Sequence, residues 1–294
     1  MATATGRAGI VVGVDGSSAS KLAVQWATRD ALLHDDALTL VHVLLPPVVM
    51  TRPPVPMPTE FQEWQEAQGR VALAEATEIA HAQAHGAELQ LDTVTATGAP
   101  VTCLTDLSKD ARFVVVGSHG HDPLRPMLGS VSSGLTQHAH CPVAVVHDDD
   151  PLLPLPAFAP VVVGIDGSQI AEAATAIAFD EASRRGVELV AVHACVDWGG
   201  WGNAEVDWPS AEPAGRALLA QRLSRWQQDH PEVTVRPVVV PDHAAVHLLE
   251  EAKHAQLVVV GSHGRGGFAG MLLGSVSSAV VQTARIPVVV VREP

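Results

Sequence analysis

The chain alternates short runs of β-branched residues with longer segments of helical spacing. In the first half, the apolar runs lie at Gly9–Asp15, Leu38–Leu44, Glu88–Thr95, Arg112–Gly117 and Pro142–His147. Several of them are apolar at consecutive positions, which is typical of strands buried on both faces of a parallel sheet. Between the first two runs, apolar residues recur at helical spacing and predict a helix over Ser18–His34, with Ser17 or Ser18 as its N-cap.

The whole pattern occurs twice along the chain. The stretch "IVVGVDGSSAS" at Ile10–Ser20 returns as "VVVGIDGSQIA" at Val161–Ala171, and "GSVSS" at Gly129 returns at Gly274. An acidic and then proline-rich stretch separates the copies, as is typical of a linker. We therefore predict a first domain over residues 1–149, a linker over 150–159 and a second domain over 160–294. Alternating strands and helices predict an α/β fold, each domain a five-stranded parallel sheet between helices with right-handed crossovers.

Composition narrows the classes of function. The formal net charge is −14, and the lysines are only Lys21, Lys109 and Lys253, which argues against a nucleic-acid partner. A small anionic ligand remains compatible, because backbone N–H groups bind phosphate without lysine. Three separated cysteines indicate free thiols in a reducing compartment. Neither a signal segment nor an apolar stretch of membrane-spanning length is apparent, so we expect a cytoplasmic protein without a membrane partner.

Polar motifs follow the first and fourth predicted strands of each half. Asp15 and Asp166 end the first strand, and a glycine-rich loop follows the fourth. In open parallel sheets, ligands bind beyond the carboxyl ends of the strands, where the strand order reverses. Glycines let backbone approach an oxyanion, and a helix N-terminus offers unpaired N–H groups. The arrangement predicts a nucleotide site, with sugar and base near the aspartate and phosphates over the loop.

Two familiar phosphate motifs are absent. The sequence has no G-x-x-x-x-G-K-[ST], its early glycines do not form G-x-G-x-x-G, and the two loops contain no lysine. The loops instead read G-x2-G-x8-G-S and G-x2-G-x9-G-S, and this pattern, with "GVDGS" and "GIDGS" at the first strands, resembles the universal stress protein family. The resemblance covers nearly the whole chain and is strongest to the tandem form found in mycobacteria and other actinobacteria.

The resemblance implies two tandem Rossmann-like domains of the adenine nucleotide alpha hydrolase-like type that bind ATP, with Mg²⁺ at the phosphates. The aspartate would hold ribose or adenine, the end of the second strand the base, and the glycines and serines the phosphates. In the second domain the implied residues are Asp166, Gly167, Ser168, His193, Ala194, Val260, Gly261, His263, Gly264, Arg265, Gly274, Ser275, Val276 and Ser277. In the first domain they are Asp15, Gly16, Ser17, His42, Val43, Val116, Gly117, His119, Gly120, Gly129, Ser130, Val131 and Ser132. No catalytic residue and no metal ligand from the protein is implied.

The two predicted sites are not equal. The first loop is one residue shorter than the second, loses three glycines and gains two prolines and Asp122. An aspartate near a triphosphate repels it unless a divalent ion intervenes. Arg125 in the first loop and Arg265 in the second could offset phosphate charge. These differences favour the second site.

Several other readings stay open. His119 and His263 invite a catalytic role, but no nucleophile lies beside them in sequence. "HAHC" at His138–Cys141 looks like a metal cluster, although zinc needs four convergent ligands and the second half replaces these residues. The segments Pro46–Pro58 and Asp197–Ser210 follow the second strand of each half and could serve function or cover the sheet edge.

The preferred hypothesis is an ATP-binding regulator that responds to stress or energy state, with at most slow ATP hydrolysis. One alternative is a nucleotide-free interaction module of the same fold, whose last strands pair between domains or subunits. The other is an ATP-splitting enzyme, which would need an acid, base or lysine near the γ-phosphate. A homodimer and an unidentified signalling protein are the expected protein partners.

Overall fold

The computed structural model describes residues 8–46, 48–49, 55–56, 58–120, 128–147, 158–195, 208–264 and 273–292. The chain divides into two compact units between Asp148 and Asp149. Each unit is an α/β structure. None of the helices among the described residues is both long and apolar enough to cross a membrane.

The first unit is built on a five-stranded parallel sheet. The strands described in the whole unit, two of which lie outside that sheet, are β1 (Ala8–Gly13), β2 (Leu38–Leu44), β3 (Val48–Val49), β4 (Val55–Pro56), β5 (Leu91–Thr97), β6 (Ala111–Gly117) and β7 (Val143–Val146). The helices are α1 (Ser18–His34), α2 (Thr59–Ala84), α3 (Pro100–Leu107) and α4 (Ser130–His138). The order in the parallel sheet is β7-β6-β1-β2-β5, whereas β3 and β4 form a separate antiparallel pair. The predicted fold class is confirmed, and α1 has the predicted bounds.

The second unit repeats this plan. Its elements are β8 (Val161–Gly164), α5 (Gln169–Arg185), β9 (Leu189–Ala194), α6 (Trp208–Asp229), β10 (Val235–Val240), α7 (Ala244–Ala252), β11 (Leu257–Gly261), α8 (Ser275–Thr283) and β12 (Val288–Val291). The sheet order is β10-β9-β8-β11-β12, and the strands are parallel. Ala159, at the end of the predicted linker, is buried, and its carbonyl accepts a hydrogen bond from Gln256 Nε2 at 2.5 Å.

Valine-rich strands form the core of each sheet. The side chains of β6 from Phe113 to Val116 are buried, as are those of β7 and β12, because helices cover both faces. The order of strands reverses between β1 and β6 in the first unit and between β8 and β11 in the second. A crevice opens at such a reversal, beyond the carboxyl ends of the two strands. The fold therefore places the turns after these four strands around two crevices.

Candidate functional site

The turn after the first strand fixes the aspartate and starts the helix. Asp15 Oδ1 accepts hydrogen bonds from Ser17 N at 2.9 Å and from Ser17 Oγ at 2.6 Å, while Ser17 Oγ accepts from Ser20 N at 3.2 Å and caps α1. Gly16 has a φ of +87°, which favours glycine because a side chain strains the left-handed region. The turn thus sets the carboxylate beside the N-terminus of α1.

The second unit builds the same turn. Asp166 Oδ1 accepts from Ser168 N at 2.9 Å, and Ser168 Oγ accepts from Ala171 N at 3.2 Å to cap α5. Asp166 is half-buried, whereas Asp15 is exposed. The N-cap predicted from sequence as Ser17 or Ser18 is Ser17, with Ser168 as its counterpart.

A histidine at the end of the second strand binds the first strand in each unit. His42 Nδ1 lies 2.7 Å from Val14 O, and His193 Nδ1 lies 2.7 Å from Ile165 O. A carbonyl can only accept, so Nδ1 carries the proton in both rings. These rings therefore fix the end of the second strand beside the aspartate turn, where the sequence predicts the base.

A glycine in the following helix lies against each imidazole. A Cβ on Gly69 of α2 would lie 2.6 Å from His42 Cδ2, whereas a Cβ on Gly215 of α6 would lie 2.7 Å from Val239 Cγ1, 2.9 Å from Cys195 Sγ and 3.3 Å from His193 Cδ2. Sequence reasoning missed both glycines. Both glycines lie in a repeated "E-x2-G-R" that begins at Glu66 and at Glu212, and this repeat is the sequence signal that could have identified them.

The loop after β6 folds back on the strand end. Gly129 N donates to Ser118 O at 2.7 Å, and Ser132 Oγ donates to the same carbonyl at 2.9 Å. A Cβ on Gly129 would lie 3.2 Å from His119 Cα, and a Cβ on Gly120 would lie 2.9 Å from Asp15 Oδ2. The glycines thus allow the start of α4, the loop and the aspartate to approach one another.

The described part of the second loop has the same connections. Gly274 N donates to Ser262 O at 2.7 Å, and Ser277 Oγ lies 3.2 Å from the same carbonyl and 2.6 Å from Gly261 O, to which it also donates. A Cβ on Gly264 would overlap Asp166 Oδ2, so the glycine is what lets the loop approach this carboxylate. Ser132 and Ser277 therefore use their hydroxyls to hold the loop to the strand, while their role towards phosphate stays a prediction.

These elements enclose a cleft of about 280 Å³ in the first unit. All of the residues predicted for the first site line it except Gly16. The volume is near the lower end of small-molecule sites, about 300 Å³. Six further residues line the cleft, namely Gly13, Val14, Ser20, Val41, Pro100 and Leu104. The structure thus brings together the predicted set in the half that the sequence disfavoured.

Helix α3 forms part of this cleft, and the sequence motifs gave no sign of it. Leu104 packs against Gly13, because a Cβ on this glycine would lie only 3.1 Å from Leu104 Cδ1. In the second unit Leu248 of α7 stands in the same relation to Gly164, at 3.2 Å. A glycine at the end of the first strand and a leucine on the helix after the third strand of the sheet occur in both halves of the sequence, and this recurrence could have revealed the contact.

The electrostatics of the cleft favour an anion at one end. Helices α4 and α8 begin after Gly129 and Gly274, and no side chain among the described residues caps either one. Their first-turn N–H groups therefore face outward with the positive end of the helix dipole. The carboxylate of Asp15, which also lines the cleft, suits hydroxyl and amine donors, as does that of Asp166 in the second unit.

Two side chains near the second site differ from the residues at the equivalent positions of the first unit. Arg222 Nη2 of α6 donates to Gly167 O at 3.1 Å, in the aspartate turn. Cys195 follows β9, and its Sγ donates to Ala211 O at 3.4 Å. Burial raises the pKa of the Cys195 thiol, and the negative charge of Glu212 raises it further, so the thiol stays protonated at neutral pH.

The remaining predictions concern the loop histidines, the possible metal cluster and the charged loop residues. Ser118 Oγ lies 3.0 Å from His119 Nδ1, and Ser262 Oγ lies 3.1 Å from His263 Nδ1, so each histidine is held by its neighbour. In the part of the chain that the structure describes, the side chains of His138–Cys141 do not come together as a metal-ligand group. Arg265, Asp122 and Arg125 lie outside the described residues, as do residues 197–207 of the segment Asp197–Ser210.

Comparison with known proteins identifies the family and the fold. The model of the universal stress protein family matches residues 8–147 and again residues 157–292. A universal stress protein of Mycobacterium tuberculosis is 48% identical over 300 residues, covering 100% of this chain and 99% of the relative. Another, from Mycolicibacterium smegmatis, is 49% identical over 288 residues, covering 97% of each. The crystal structure of a universal stress protein from Archaeoglobus fulgidus has a TM-score of 0.72 at 18% identity over 98% of this chain and 99% of that one, which shows a shared fold.

Proposed function

Because the chain belongs to the universal stress protein family, we propose that each of its two domains binds ATP with Mg²⁺ and that the protein is a stress- or energy-responsive regulator. One observation carries the proposal. The residues predicted from sequence as the first nucleotide site, all but Gly16, line a single cleft at the carboxyl ends of β1, β2 and β6. The hydrogen bonds that shape this cleft recur at the equivalent positions of the second unit.

Two kinds of group in the cleft suit the two parts of a nucleotide. The carboxylate of Asp15 can accept hydrogen bonds from ribose hydroxyls or from the adenine amine. The N–H groups that open α4, with the glycines before them, can approach phosphate oxygens closely. When bound, Mg²⁺ supplies positive charge to phosphates that the described loop residues leave unneutralised. Asp166 and the start of α8 would have these roles in the second domain.

Any chemistry at these sites is proposed to be slow. The described parts of the two phosphate loops carry His119 and His263 as their titratable residues, and each ring has a serine hydroxyl at Nδ1. Efficient hydrolysis requires a positioned base within reach of the attacking water. The bound nucleotide would therefore act as a signal, with regulation exerted through a protein partner.

Nucleotide content measured by mass spectrometry tests the proposal. Freshly purified protein is denatured, and the released nucleotide is identified and counted per chain. We expect one ATP per domain in the wild type, one site lost in Asp15→Asn or in Asp166→Asn, and none retained in the double variant. Asparagine keeps the Oδ1 acceptor for Ser17 or Ser168 and removes the negative charge, so the turn survives.

Glu88→Gln is the matched control, because it removes an exposed carboxylate of the first unit away from the cleft. Its nucleotide content should equal that of the wild type. If the wild type releases no nucleotide and calorimetry with Mg-ATP is silent, the ATP proposal is wrong and the nucleotide-free module becomes the better account. A single nucleotide, lost only in Asp166→Asn, would show that the shorter first loop does not bind.

A further inference from the structure

The two units differ at one outer edge of their sheets. β5 is the last strand of the first sheet and β10 is the last strand of the second, and each pairs with one neighbour among the described strands. An edge strand presents a row of backbone groups that can pair with another chain. The sequences of these two equivalent edges show how each manages that exposure.

The inner hydrogen bonds of β5 show which of its residues face outward. Leu38 N donates to Gln90 O at 2.8 Å, and Gly98 N donates to Leu44 O at 2.9 Å. Alternate residues of a strand direct both backbone groups to the same side, so the even-numbered residues of β5 face β2. The odd-numbered residues direct N–H and C=O groups to the open edge. They are Leu91, Thr93, Thr95 and Thr97.

The same reasoning applied to β10 gives a blocked edge. Leu189 N donates to Thr234 O at 2.9 Å and Cys195 N donates to Val240 O at 2.9 Å, so the even-numbered residues face β9. Pro237 stands at the middle of the outward row and has no N–H to offer. Pro237 corresponds to Thr93 by register. Val235 pairs with Leu189 and Leu91 pairs with Leu38, and each of the two residues lies two positions further along its strand.

Charges protect the edge of β10 as well. Arg236 Nη2 lies 2.7 Å from Glu251 Oε2, and Arg236 Nε lies 3.3 Å from Glu188 Oε2. Proline and charged side chains are the usual devices that prevent edge-to-edge association. The first unit has neither a proline nor a cation in β5, which reads "LDTVTAT".

Side-chain exposure along β5 fits a surface that lacks its partner. Asp92, Thr93, Val94 and Thr95 are exposed, and Val94 keeps 36% of its surface in contact with solvent. Threonine and valine are strong strand formers, and the strand carries a single charge. An edge of high strand propensity with few charges and no proline favours pairing with another strand.

We propose that β5 pairs antiparallel with β5 of a second copy of this chain, about a two-fold axis at Val94. In this register Thr93 lies opposite Thr95 of the second copy, and both direct their backbone groups to the shared edge. Such a pair exchanges two backbone hydrogen bonds. Val94 then meets its own counterpart in a closely spaced, non-hydrogen-bonded pair, which buries two half-exposed valines.

Charge permits this register, and the pattern of side chains along β5 identifies the second copy as the occupant. Asp92 falls opposite Ala96 of the second copy, so the two aspartates do not face each other. Threonine pairs and valine pairs are favourable across an antiparallel ladder, so the strand is complementary to itself. A two-fold interface requires this self-complementarity. The surface is distinct from the last strands of each domain, which the sequence suggested for association.

Sedimentation velocity of the full chain over a wide range of concentration tests the interface. We expect the wild type to dimerise reversibly, more strongly at higher salt because each copy carries a formal net charge of −14. Thr93→Pro removes one outward N–H from each strand, as Pro237 does in β10, and should make the protein monomeric. Thr93→Val keeps the N–H and should still dimerise.

Val94→Lys is a second disruptive variant, since it places two like charges opposite each other at the axis. It should also be monomeric, and it keeps the test valid if Thr93→Pro fails to fold by circular dichroism. Bound nucleotide should be unchanged in both, because neither residue lines the cleft. A wild type that stays monomeric at every concentration, or a dimer that persists in folded Thr93→Pro or Val94→Lys, overturns the proposal.

Discussion

At the scale of single residues, two glycines inside helices have a steric purpose. Gly69 and Gly215 lie within α2 and α6, where glycine costs about 1 kcal/mol relative to alanine. The His42 imidazole occupies the space that a methyl group on Gly69 would need, and Val239, Cys195 and the His193 ring together occupy that beside Gly215. Each ring in turn holds the carbonyl at the end of the first strand. Helix propensity is thus given up so that the walls of the cleft can meet.

Gly69→Ala should therefore destabilise the protein although it improves helix propensity. The added Cβ would lie 2.6 Å from His42 Cδ2, and overpacking of this kind costs about 1–3 kcal/mol. Chemical denaturation measures the change in the free energy of unfolding. His42→Ala in the Gly69→Ala background should recover part of the loss, because the ring no longer occupies the site. Equal losses with and without the ring would contradict the steric explanation.

At the scale of elements, an ion-pair cluster joins the strand β6 to the helix α1. Arg112 Nη2 lies 2.5 Å from Asp30 Oδ2, and Arg112 Nε also bonds Asp36. Asp30 is completely buried, so its charge depends on partners within the fold. A guanidinium that bridges two carboxylates fixes the position of the helix against the sheet. The position of α1 in turn sets the aspartate turn at its N-terminus.

Arg112→Met should lower the free energy of unfolding by about 3–5 kcal/mol, because it takes the guanidinium away from the buried Asp30 carboxylate. Thermal and urea unfolding measure the loss. Lys109→Met is the matched control, since it breaks an exposed pair with Asp106 and should change little. Adding Asp30→Asn to Arg112→Met should restore part of the stability. If it restores nothing, loss of packing rather than unpaired charge is responsible.

At the scale of the whole molecule, the two halves share a plan and differ in its charges. Lys21 on α1 pairs with Glu75 on α2 at 2.8 Å, whereas Glu172 on α5 lies 3.9 Å from Arg222 on α6. The cation and the acid have exchanged helices. Arg222 thereby reaches Gly167 O in the aspartate turn of the second site. The duplicated fold thus keeps the aspartate turn and varies its support.

Arg222→Met should weaken nucleotide binding in the second domain alone. Losing the hydrogen bond to Gly167 O loosens the turn that carries Asp166, at a cost of about 0.5–1.5 kcal/mol, or up to roughly tenfold in affinity. Calorimetry with Mg-ATP in the Asp15→Asn background isolates the second site. Lys21→Met in the same background should bind like its parent. An unchanged affinity in Arg222→Met would show that the turn needs no support from α6.

Much of the fold and of the first site could be predicted because the signals were local. Consecutive apolar residues marked the buried strands, and Ser17 with the following apolar spacing marked α1 to its last residue. The repeated aspartate and glycine motifs identified the turns, since their chemistry depends on residues a few positions apart. β5 was displaced towards its C-terminus relative to the predicted run, because an exposed edge strand lacks a strong apolar pattern. The sequence by itself thus determined the two domains, their class and the turns that bear the candidate sites.

Only the tertiary structure decided which distant side chains meet at those turns. His42 contacts Val14 and Gly69, and Leu104 fills the space beside Gly13, through contacts between separate elements. Strand order and register create these contacts, and no local pattern encodes the distance between elements that are neighbours only in the sheet. The same holds for the open edge of β5, because a strand's outward groups are defined by the neighbour on its other side.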